Sequence, residues 1–538
     1  MNRNPIEIFD TTLRDGTQGE GVTLSVKDKV RIAIRLDEFG MDFIEGGWPG
    51  SNPKDESFFK EIRKEKLHHS RICAFGSTAR FPDKVLSDAN LNLMLAAETS
   101  VVSIFGKTWK LHSELGLELD ASENETLIYE SIQYLKSEGR HVIFDAEHFF
   151  DGYKDDPEFA LQMVKAAGKA EADSIVLCDT NGGSLPSEIS DIVHVVKKKI
   201  SAPLGVHAHN DSELAVSNTI AAVEAGVSHV QGTINGVGER CGNANLVSII
   251  PNMILKLGLN TVQKIDLTQL SSISHFVSEV MNFAPDQRAA YVGRSAFAHK
   301  GGIHVSAVLK NSTMYEHIEP EIVGSQRRVL VSDLSGQSNI RYKASELDVR
   351  LNGDKTLTKK VVNRIKALEH AGYQFDGAEA SFELILQEEL GAFQPFFDVL
   401  DSRINVNYGE DGHKHADAML KVIVDGEVEH TIADGVGPVN ALNLALKKAL
   451  VRFYPEIKDV KLVDYKVRVL EERAGTESKV RVLAESSDGK ESWSTVGVSE
   501  NIIEASWQAL RDSFNYRLYI KKKKNAHSRK VKGLAKPY

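Results

Sequence analysis

Two closely spaced histidines are the residues in this chain best suited to metal chemistry. His207 and His209 follow an apolar run, residues 203–206, that is typical of a short buried strand. Side chains two positions apart on a strand point the same way, so both imidazoles could bind one divalent ion. A lone histidine in such a run is more often a core residue. The pair, followed by Asn210 and Asp211, favours a metal site.

A divalent ion needs more than two nitrogen ligands, so at least one oxygen ligand must lie elsewhere in the chain. Asp15 is the leading candidate because it comes just after another apolar run, residues 6–9, with Arg14 beside it. A cation next to a metal-binding carboxylate suits a site that polarises an anionic, oxygen-bearing substrate. We therefore predict a metal site built from Asp15, His207 and His209.

Eight short strand-like runs, separated by helical patterns, must position these residues. The predicted strands are residues 6–9, 43–45, 71–75, 101–105, 141–144, 174–178, 204–207 and 229–233. Their alternation with helices predicts a closed (β/α)8 barrel rather than an open doubly wound sheet. Gly236 and Gly238 do not open a helix, so the Gly-x-Gly pattern there does not indicate dinucleotide binding.

Ionisable and amide side chains gather directly after the predicted strands. They are Arg14, Asp15, Glu45, Asp145, Glu147, Asp179, Asn181, His209 and the run 235–243. In a (β/α)8 barrel these positions share one rim, where active sites form. The polarity of loops alone would not explain why such residues are scarce where the strands start.

Three further segments follow the predicted barrel, which we place at residues 1–270. Residues 271–395 show mainly helical patterns, and residues 396–520 show two β-β-β-α repeats. Gly-rich turns at 435–438 and 497–499 precede the two helices of these repeats. They could receive a small anion, and a purely structural dimerisation role is equally compatible. Residues 521–538 are basic, and we expect this tail to be disordered.

Composition narrows the class of protein. The chain has 538 residues, 42% of them hydrophobic and 26% charged, as is ordinary for a globular enzyme. A net charge of −10 disfavours nucleic-acid binding, and no apolar run approaches the roughly 20 residues of a membrane span. Residues 1–5 lead straight into a strand without a secretory signal, and three scattered cysteines fit reduced thiols. We expect a cytoplasmic protein that does not contact membranes.

Three longer motifs carry a resemblance to a known family. The stretches DTTLRDGTQ at 10–18, HAHND at 207–211 and GTINGVGERCGN at 232–243 resemble the signatures of the DRE-TIM metallolyases. Within that family the chain is similar to the Claisen-condensing branch, the 2-isopropylmalate, homocitrate and citramalate synthases. The likeness covers nearly the whole chain, because a barrel, a helical linker and a twin β-β-β-α regulatory domain form the architecture of that branch. Residues 45–55 and 144–153 look most like the citramalate synthases.

The resemblance implies a condensation of acetyl-CoA with a 2-oxo acid, with pyruvate as the expected acid and citramalate and CoA as the products. The alternatives are 2-isopropylmalate synthase and homocitrate synthase, which take bulkier acids. A more distant alternative is an acyl-CoA lyase on the same barrel, against which the C-terminal twin domain argues. Retention of the metal motif together with Arg14 and Glu147 argues against a non-catalytic scaffold.

The resemblance also implies ligands for the metal and the substrates. It adds Asn243 to the metal environment, and the ion would be Mg²⁺, Mn²⁺ or Zn²⁺. It places the carboxylate of the 2-oxo acid near Arg14 and Thr180. It assigns acetyl-CoA to the loop that follows the eighth strand, with the residues Asn235, Gly236, Gly238 and Arg240.

The remaining implied roles concern catalysis and assembly. Glu147 is the first candidate base, and His304 and Tyr315 of the linker region are its implied partners alongside Arg14. In relatives the linker of one subunit caps the barrel of the other, which implies a homodimer or a dimer of dimers. Ser306 departs from the pattern, because many relatives carry Asp there. The twin domain is expected to bind isoleucine as an effector.

Overall fold

A closed barrel of eight parallel strands forms the first half of the chain. The computed structural model describes residues 5–332, 335–347, 349, 351, 354–408, 414–470 and 478–534. The barrel strands are β1 Glu7–Asp10, β2 Phe43–Gly47, β3 Arg71–Ser77, β4 Val101–Lys107, β5 His141–Glu147, β6 Ser174–Asp179, β7 Leu204–Ala208 and β8 His229–Gly232. They pair in sequence order, and β8 closes on β1. The predicted (β/α)8 barrel is confirmed, and each strand ends within three residues of its predicted position.

Helices cover the outside of this barrel. They are α1 Val26–Phe39, α2 Pro53–Ile62, α3 Ala89–Ala96, α4 Lys110–His112, α5 Ala121–Ser137, α6 Phe149–Asp155, α7 Pro157–Lys169, α8 Pro186–Lys197, α9 Ala215–Ala225, α10 Leu246–Pro251 and α11 Leu270–Val280. Local chemistry sets their ends. Ser25 and Asp28 form a reciprocal capping box at the start of α1, and Gly40 ends the helix with a φ of 99°.

The barrel interior changes from apolar to polar along the strands. We call six buried side chains, which belong to one apolar cluster, the lower layer: Phe9, Phe43, Cys73, Val101, Ile143 and Val176. A side chain two positions further along a strand faces the same way. We call the buried polar side chains nearer the carboxyl ends of the strands the upper layer: Glu45, Ser103, Asp145, His207 and Gln231. Strands β2, β4 and β5 thus each carry an apolar side chain of the lower layer and, two residues later, a polar side chain of the upper layer.

The chain divides into two compact units. The first is Met1–Phe297 with Ile318–Gln326, and the second is Ala298–His317 with Arg327–Tyr538. The first unit continues past residue 270, where we placed the barrel boundary, because α11 buries Leu270, Ile273 and Val277 in the apolar core around the barrel.

The second unit contains the linker elements and the twin domain. Its linker elements are β9 Ala298–His299, α12 Gly302–Val308, β10 Arg328–Val329, α13 Gln337–Glu346, α14 Lys355–His370 and α15 Glu379–Glu389. The first repeat is β11 Asp398–Tyr408, β12 Lys414–Val424, β13 Glu427–Gly435 and α16 Pro438–Val451. The second is β14 Lys461–Val469, β15 Val480–Ser487, β16 Ser492–Ser499 and α17 Ile502–Leu534. The predicted twin β-β-β-α arrangement is confirmed, with each sheet antiparallel.

Two details of the second unit differ from the sequence predictions. Residues 497–499 end strand β16 rather than forming a turn, because the strand pairs with β15 up to Ser499. The helix α17 runs on to Leu534, through much of the segment expected to be disordered. Three of its lysines pair with acids distant in sequence, which the basic run alone could not reveal: Lys521 with Glu456, Lys523 with Glu383 and Lys524 with Glu491.

The three cysteines form no disulfide within the described part of the chain. Cys73 and Cys178 are buried free thiols, and Cys241 is an exposed one. No helix within the described part of the chain is both long enough and apolar enough to cross a membrane.

Candidate active site

Asp15, His207 and His209 form a buried cluster of potential metal ligands at the barrel rim. The Nε2 atoms of His207 and His209 lie 3.5 and 3.8 Å from Oδ2 of Asp15. One ligand atom from each of the three side chains lies within 4.8 Å of the others. Extended backbone at the end of β7 places the two imidazoles on the same side, as the i, i+2 spacing predicted. The structure therefore brings the three predicted metal ligands together.

The charges of this cluster suit a cation. Burial raises the pKa of Asp15, but Arg14 and the two histidines outweigh that effect and lower the pKa to about 2. Burial, followed by the nearby His209, lowers the pKa of His207 to about 4. Burial also lowers the pKa of His209. At neutral pH the site thus offers one carboxylate and two uncharged imidazoles, the ionisation states that metal binding requires.

Asn243 adjoins the cluster. Its backbone forms an isolated bridge with His209, its amide nitrogen donates to the backbone oxygen of Val237 at 3.4 Å, and its side chain helps to lower the pKa of Asp15. Two buried oxygens in this region, Asp15 Oδ1 and Asn243 Oδ1, lack a hydrogen-bond partner among the described residues. Buried acceptors without donors are rare in proteins unless an ion or water satisfies them.

Arg14 is fixed by a buried carboxylate and an aromatic ring. Its Nε donates to Oε2 of Glu45 at 2.7 Å, and one Nη donates to Asp15 at 3.1 Å. Its guanidinium carbon lies 3.8 Å from the centre of the Phe75 ring. Burial lowers the pKa of Arg14, but Glu45 and Asp15 outweigh this and raise it, so the guanidinium stays charged. The N–H groups that these acids do not use remain for an anionic substrate.

Glu147 stands at the end of β5 in an ion pair with Lys107 at the end of β4. The hydroxyl of Thr108 donates to the backbone oxygen of Glu147 at 2.7 Å. About a quarter of the Glu147 side chain is exposed, and it lines the same cavity as the metal cluster. The predicted base is thus accessible and held from the neighbouring strand.

Thr180 follows β6, and Arg240 lies in the loop that follows β8. The Thr180 hydroxyl accepts the backbone N–H of His148 at 2.9 Å, so its own proton can be donated to a ligand. Arg240 forms two hydrogen bonds with Asp211, at 2.7 and 2.9 Å, and a third with the backbone oxygen of Thr180. Arg240 therefore ties together the loops that follow β6, β7 and β8.

These groups surround one cavity of about 210 Å³. Aromatic side chains form part of its wall, namely Trp48, Phe75 and Phe105, and the ring centres of Trp48 lie 5.6 and 5.8 Å from those of the other two. The indole nitrogen of Trp48 donates to Asn90 at 2.7 Å. The opening of the barrel is thus narrowed by three mutually packed rings.

A buried ion pair shapes the loop that carries Trp48. Lys29 pairs with Asp55 and also donates to the backbone oxygen of Gly46 at 3.0 Å. Asp55 accepts the backbone N–H of Trp48 at 3.0 Å. Gly47 has a φ of 144°, and a Cβ there would lie 2.4 Å from the Asp55 carboxyl carbon. The loop backbone is therefore fixed independently of the indole.

The predicted acetyl-CoA loop contributes to two cavities. Arg240 lines the cavity with the metal cluster, whereas Asn235 and Gly236 line a second, more polar cavity of about 610 Å³. Asn235 bonds to Ser274 and Ser278 of α11. A Cβ on Gly238 would lie 2.1 Å from Asn243 Nδ2, so this position requires glycine for close approach.

His304 and Tyr315 belong to the second unit. Their ring centres lie 4.3 Å apart, and both side chains are exposed. The adjacent Glu316 is buried and is held by His299 and Arg327 at 2.9 and 2.7 Å. The structure thus pairs the two predicted linker groups with each other.

Sequence reasoning missed several residues that shape the cavity. The aromatic wall, Lys107 and Gln231 were not among the predicted site residues. The signal that could have found Gln231 is a polar side chain in the middle of a barrel strand. Phe105 ends the predicted strand 101–105, and Lys107 could have been found by continuing the two-residue alternation past that end.

The fold and this rim define a class of protein, and the comparisons agree with it. The HMGL-like family model matches residues 5–277, the model called homocitrate synthase post-HMGL domain-like matches 291–372, and the LeuA allosteric (dimerisation) domain matches 376–518. The chain therefore has the barrel, linker and C-terminal domain expected of the condensing branch.

Named relatives show to which group of that branch the chain belongs. The (R)-citramalate synthase of Geobacter sulfurreducens is 53% identical over 96% of this chain and 98% of its own length. The (R)-citramalate synthase of Aquifex aeolicus is 51% identical, with 95% and 98% covered. The 2-isopropylmalate synthase of Methanocaldococcus jannaschii is 33% identical, with 95% and 94% covered. The chain belongs to the HMGL-like family and, within it, to the group of the (R)-citramalate synthases.

Proposed function

We propose that the protein is a divalent-metal-dependent acyltransferase that joins acetyl-CoA to pyruvate and hydrolyses the thioester, releasing (R)-citramalate and CoA. One observation carries this proposal: Asp15, His207 and His209 converge with Arg14 and Glu147 on a single rim cavity. The chain that forms this cavity is about half identical to named (R)-citramalate synthases over nearly its whole length.

The residues at the rim fit a divalent ion. Asp15, His207 and His209 would hold it, and Asn243 would complete its environment through its unpartnered oxygen. Mixed nitrogen and oxygen ligands are compatible with Mg²⁺, Mn²⁺ or Zn²⁺. When bound, the ion would act as a Lewis acid that polarises the keto carbonyl of the 2-oxo acid.

Arg14 and Thr180 would bind the carboxylate of the 2-oxo acid. Arg14 offers charged N–H groups beside the metal ligands, and Thr180 offers a hydroxyl proton from the other side of the rim. A carboxylate held between them directs the adjacent keto carbon into the cavity. Charge-assisted hydrogen bonds of this kind fix orientation as well as affinity.

Glu147 is our candidate for the base that removes a proton from the acetyl methyl group. The methyl carbon then bonds to the keto carbon of pyruvate, the former keto oxygen takes up a proton, and water cleaves the thioester to release CoA. Lys107 holds the Glu147 carboxylate at the cavity edge. We propose that His304 and Tyr315, from the linker of a partner subunit, assist these proton transfers.

The aromatic wall supports pyruvate as the acid. Trp48, Phe75 and Phe105 leave a small cavity that suits the methyl group of pyruvate better than a branched or carboxylated side chain. A hydrophobic pocket discriminates only about 1–3 kcal/mol per methylene, so weak turnover of 2-oxobutyrate is expected.

The twin domain supports regulation and assembly. The match to an allosteric dimerisation domain favours a homodimer or a dimer of dimers, and we propose isoleucine as the effector. Amino acids at millimolar concentration, added to full-length protein, should change the rate or the melting temperature. If isoleucine, leucine and the others change neither, the domain has no such effector. The domains we propose are residues 1–270, 271–395 and 396–520, and we propose that acetyl-CoA binds along Asn235, Gly236, Gly238 and Arg240.

A free-thiol assay tests the central proposal. Purified protein is incubated with acetyl-CoA and pyruvate, 2-oxobutyrate, 2-oxoisovalerate or 2-oxoglutarate, and released CoA is measured. We expect the highest kcat/KM with pyruvate, loss of activity after metal chelation, and recovery when Mn²⁺ is restored. A higher kcat/KM with 2-oxoisovalerate or 2-oxoglutarate would assign the chain to a sister activity.

A further inference from the structure

His207 has a hydrogen-bonded support inside the barrel that reaches across three other strands. Its Nδ1 lies 3.0 Å from Oε1 of Gln231, and both side chains are buried. Nε2 of Gln231 donates to Oδ1 of Asp145 at 2.9 Å. The hydroxyl of Ser103 donates to the other oxygen of Asp145 at 2.6 Å. Strands β4, β5, β8 and β7 thus supply one continuous row of four polar side chains.

Each hydrogen bond in this row has a defined donor and acceptor, which gives the row a fixed direction. Asp145 accepts hydrogen bonds from both neighbours, so the amide nitrogen of Gln231 must face it. Both carboxyl oxygens of Asp145 act as acceptors, Oδ1 from Gln231 and Oδ2 from Ser103. The amide oxygen of Gln231 therefore faces His207. Since an amide oxygen can only accept, Nδ1 of His207 must carry the ring proton.

This direction determines which nitrogen of His207 can bind a metal. With the proton on Nδ1, the lone pair lies on Nε2, the nitrogen 3.5 Å from the Asp15 carboxylate. His209 lacks an equivalent support, because its Nδ1 is buried without a partner among the described residues. The two predicted ligands are therefore oriented by different means.

We propose that Gln231, itself held by Asp145 and Ser103, is a positioning residue that fixes His207 as an Nε2 ligand for the divalent ion. The inference rests on the proposed function only in that a metal binds at this rim. Partners that orient metal-binding histidines typically change affinity or activity by about 10–100-fold when they are removed.

Metal affinity without substrates is the measurement that tests this role. Mn²⁺ is titrated into metal-free full-length protein and followed by electron paramagnetic resonance, with melting temperatures recorded in parallel. Gln231→Leu removes the acceptor. Asp145→Asn keeps the volume but lets the Gln231 amide turn and offer a donor to His207. We expect each to weaken the Kd for Mn²⁺ by about 10–100-fold, and Ser103→Ala to weaken it less.

A double variant separates positioning from packing. Gln231→Glu combined with Asp145→Asn exchanges the amide and the carboxylate, so His207 again faces an acceptor and the row keeps its direction. We expect this variant to bind Mn²⁺ more tightly than Asp145→Asn alone. Gln133→Leu is the matched control, because the Gln133 amide bonds to the backbone oxygen of Ala170 on the outside of the barrel. It should leave the Kd unchanged.

The outcomes distinguish this inference from the proposed function. Wild-type Kd in Gln231→Leu and Asp145→Asn, with or without a lower melting temperature, would overturn the positioning role. A double variant that binds Mn²⁺ no more tightly than Asp145→Asn would also overturn it. The same holds for a wild-type protein that binds no Mn²⁺. Wild-type protein that binds Mn²⁺ but releases no CoA would instead contradict the proposed function and leave this inference standing.

Discussion

The lower and upper layers of the barrel interior differ in the polarity of their buried side chains. The six side chains of the lower layer are apolar and buried, and the buried imidazole of His229 packs against two of them, Phe9 and Phe43. The upper layer, nearer the carboxyl ends of the strands, buries polar groups, and one of their atoms, Glu45 Oε1, lacks a hydrogen-bond partner among the described residues. Burying such groups costs about 1–3 kcal/mol each, so the upper layer sacrifices stability that the lower layer supplies. Stability and chemistry are thus separated by one repeat of the strand.

The largest expected effect comes from removing the side chain of a predicted metal ligand at the rim. We expect His209→Ala to lower kcat on the order of a thousandfold, because lost polarisation costs several kcal/mol of transition-state stabilisation. Its melting temperature should stay close to that of the wild type. His194→Ala, an exposed histidine on α8, is the control. Near wild-type kcat in a folded His209→Ala protein would remove the rim histidines from the metal hypothesis.

The reverse experiment targets the lower layer. Ile143→Ala leaves a cavity beneath Asp145 and should cost about 2–5 kcal/mol of stability. Urea unfolding followed by circular dichroism would show a lower midpoint for the first transition. Below that transition the Kd for Mn²⁺ should equal that of the wild type. A large loss of metal affinity in the folded variant would show that the layers are not separable.

A third prediction concerns the aromatic wall above both layers. Trp48→Ala should raise kcat/KM for 2-oxobutyrate relative to pyruvate by about 10–100-fold, because the wall no longer excludes an added methylene. Steady-state kinetics with both acids measures the ratio. Phe81→Ala, which removes an exposed aromatic ring, should leave it unchanged. An unaltered ratio in Trp48→Ala would mean that the indole does not limit the acid.

The smallest expected effect is the response of metal binding to pH. A proton competes with the metal only below the pKa of the free ligand, and that pKa is about 4 for His207 and lowered for His209. The Kd for Mn²⁺ should therefore change little between pH 7.5 and 5.5. Two ordinary exposed imidazoles, with a pKa near 6.5, would lose more than about tenfold over this range. Titration at three pH values distinguishes the two cases.

Local spacing was sufficient to predict the barrel and the cluster of Asp15, His207 and His209 at its rim. Each strand carries its own apolar signal, and the i, i+2 placement of His207 and His209 follows from extended backbone alone. The convergence of Asp15 on that pair required only the rule that parallel strands end at one rim. These features depend on neighbours in sequence or on a general property of the fold.

The parts that escaped prediction depend on contacts between distant segments. Trp48 and Phe105 meet only because β2 and β4 both lie beside β3, and the role of Gln231 depends on its bond to Asp145, 86 positions away. The helix at the C-terminus is likewise supported by lysines that find acids in other elements, such as Lys521 with Glu456. No pattern within a short window records such pairings.

The buried pair of Lys29 and Asp55 has a consequence for how such an enzyme diversifies. Because this pair holds the loop backbone at Gly46 and Trp48, the indole is carried by the loop without supporting it. A single codon change at position 48 could therefore widen the range of acids accepted while the reaction itself persists. The substrate repertoire of this scaffold would then drift more readily than its chemistry.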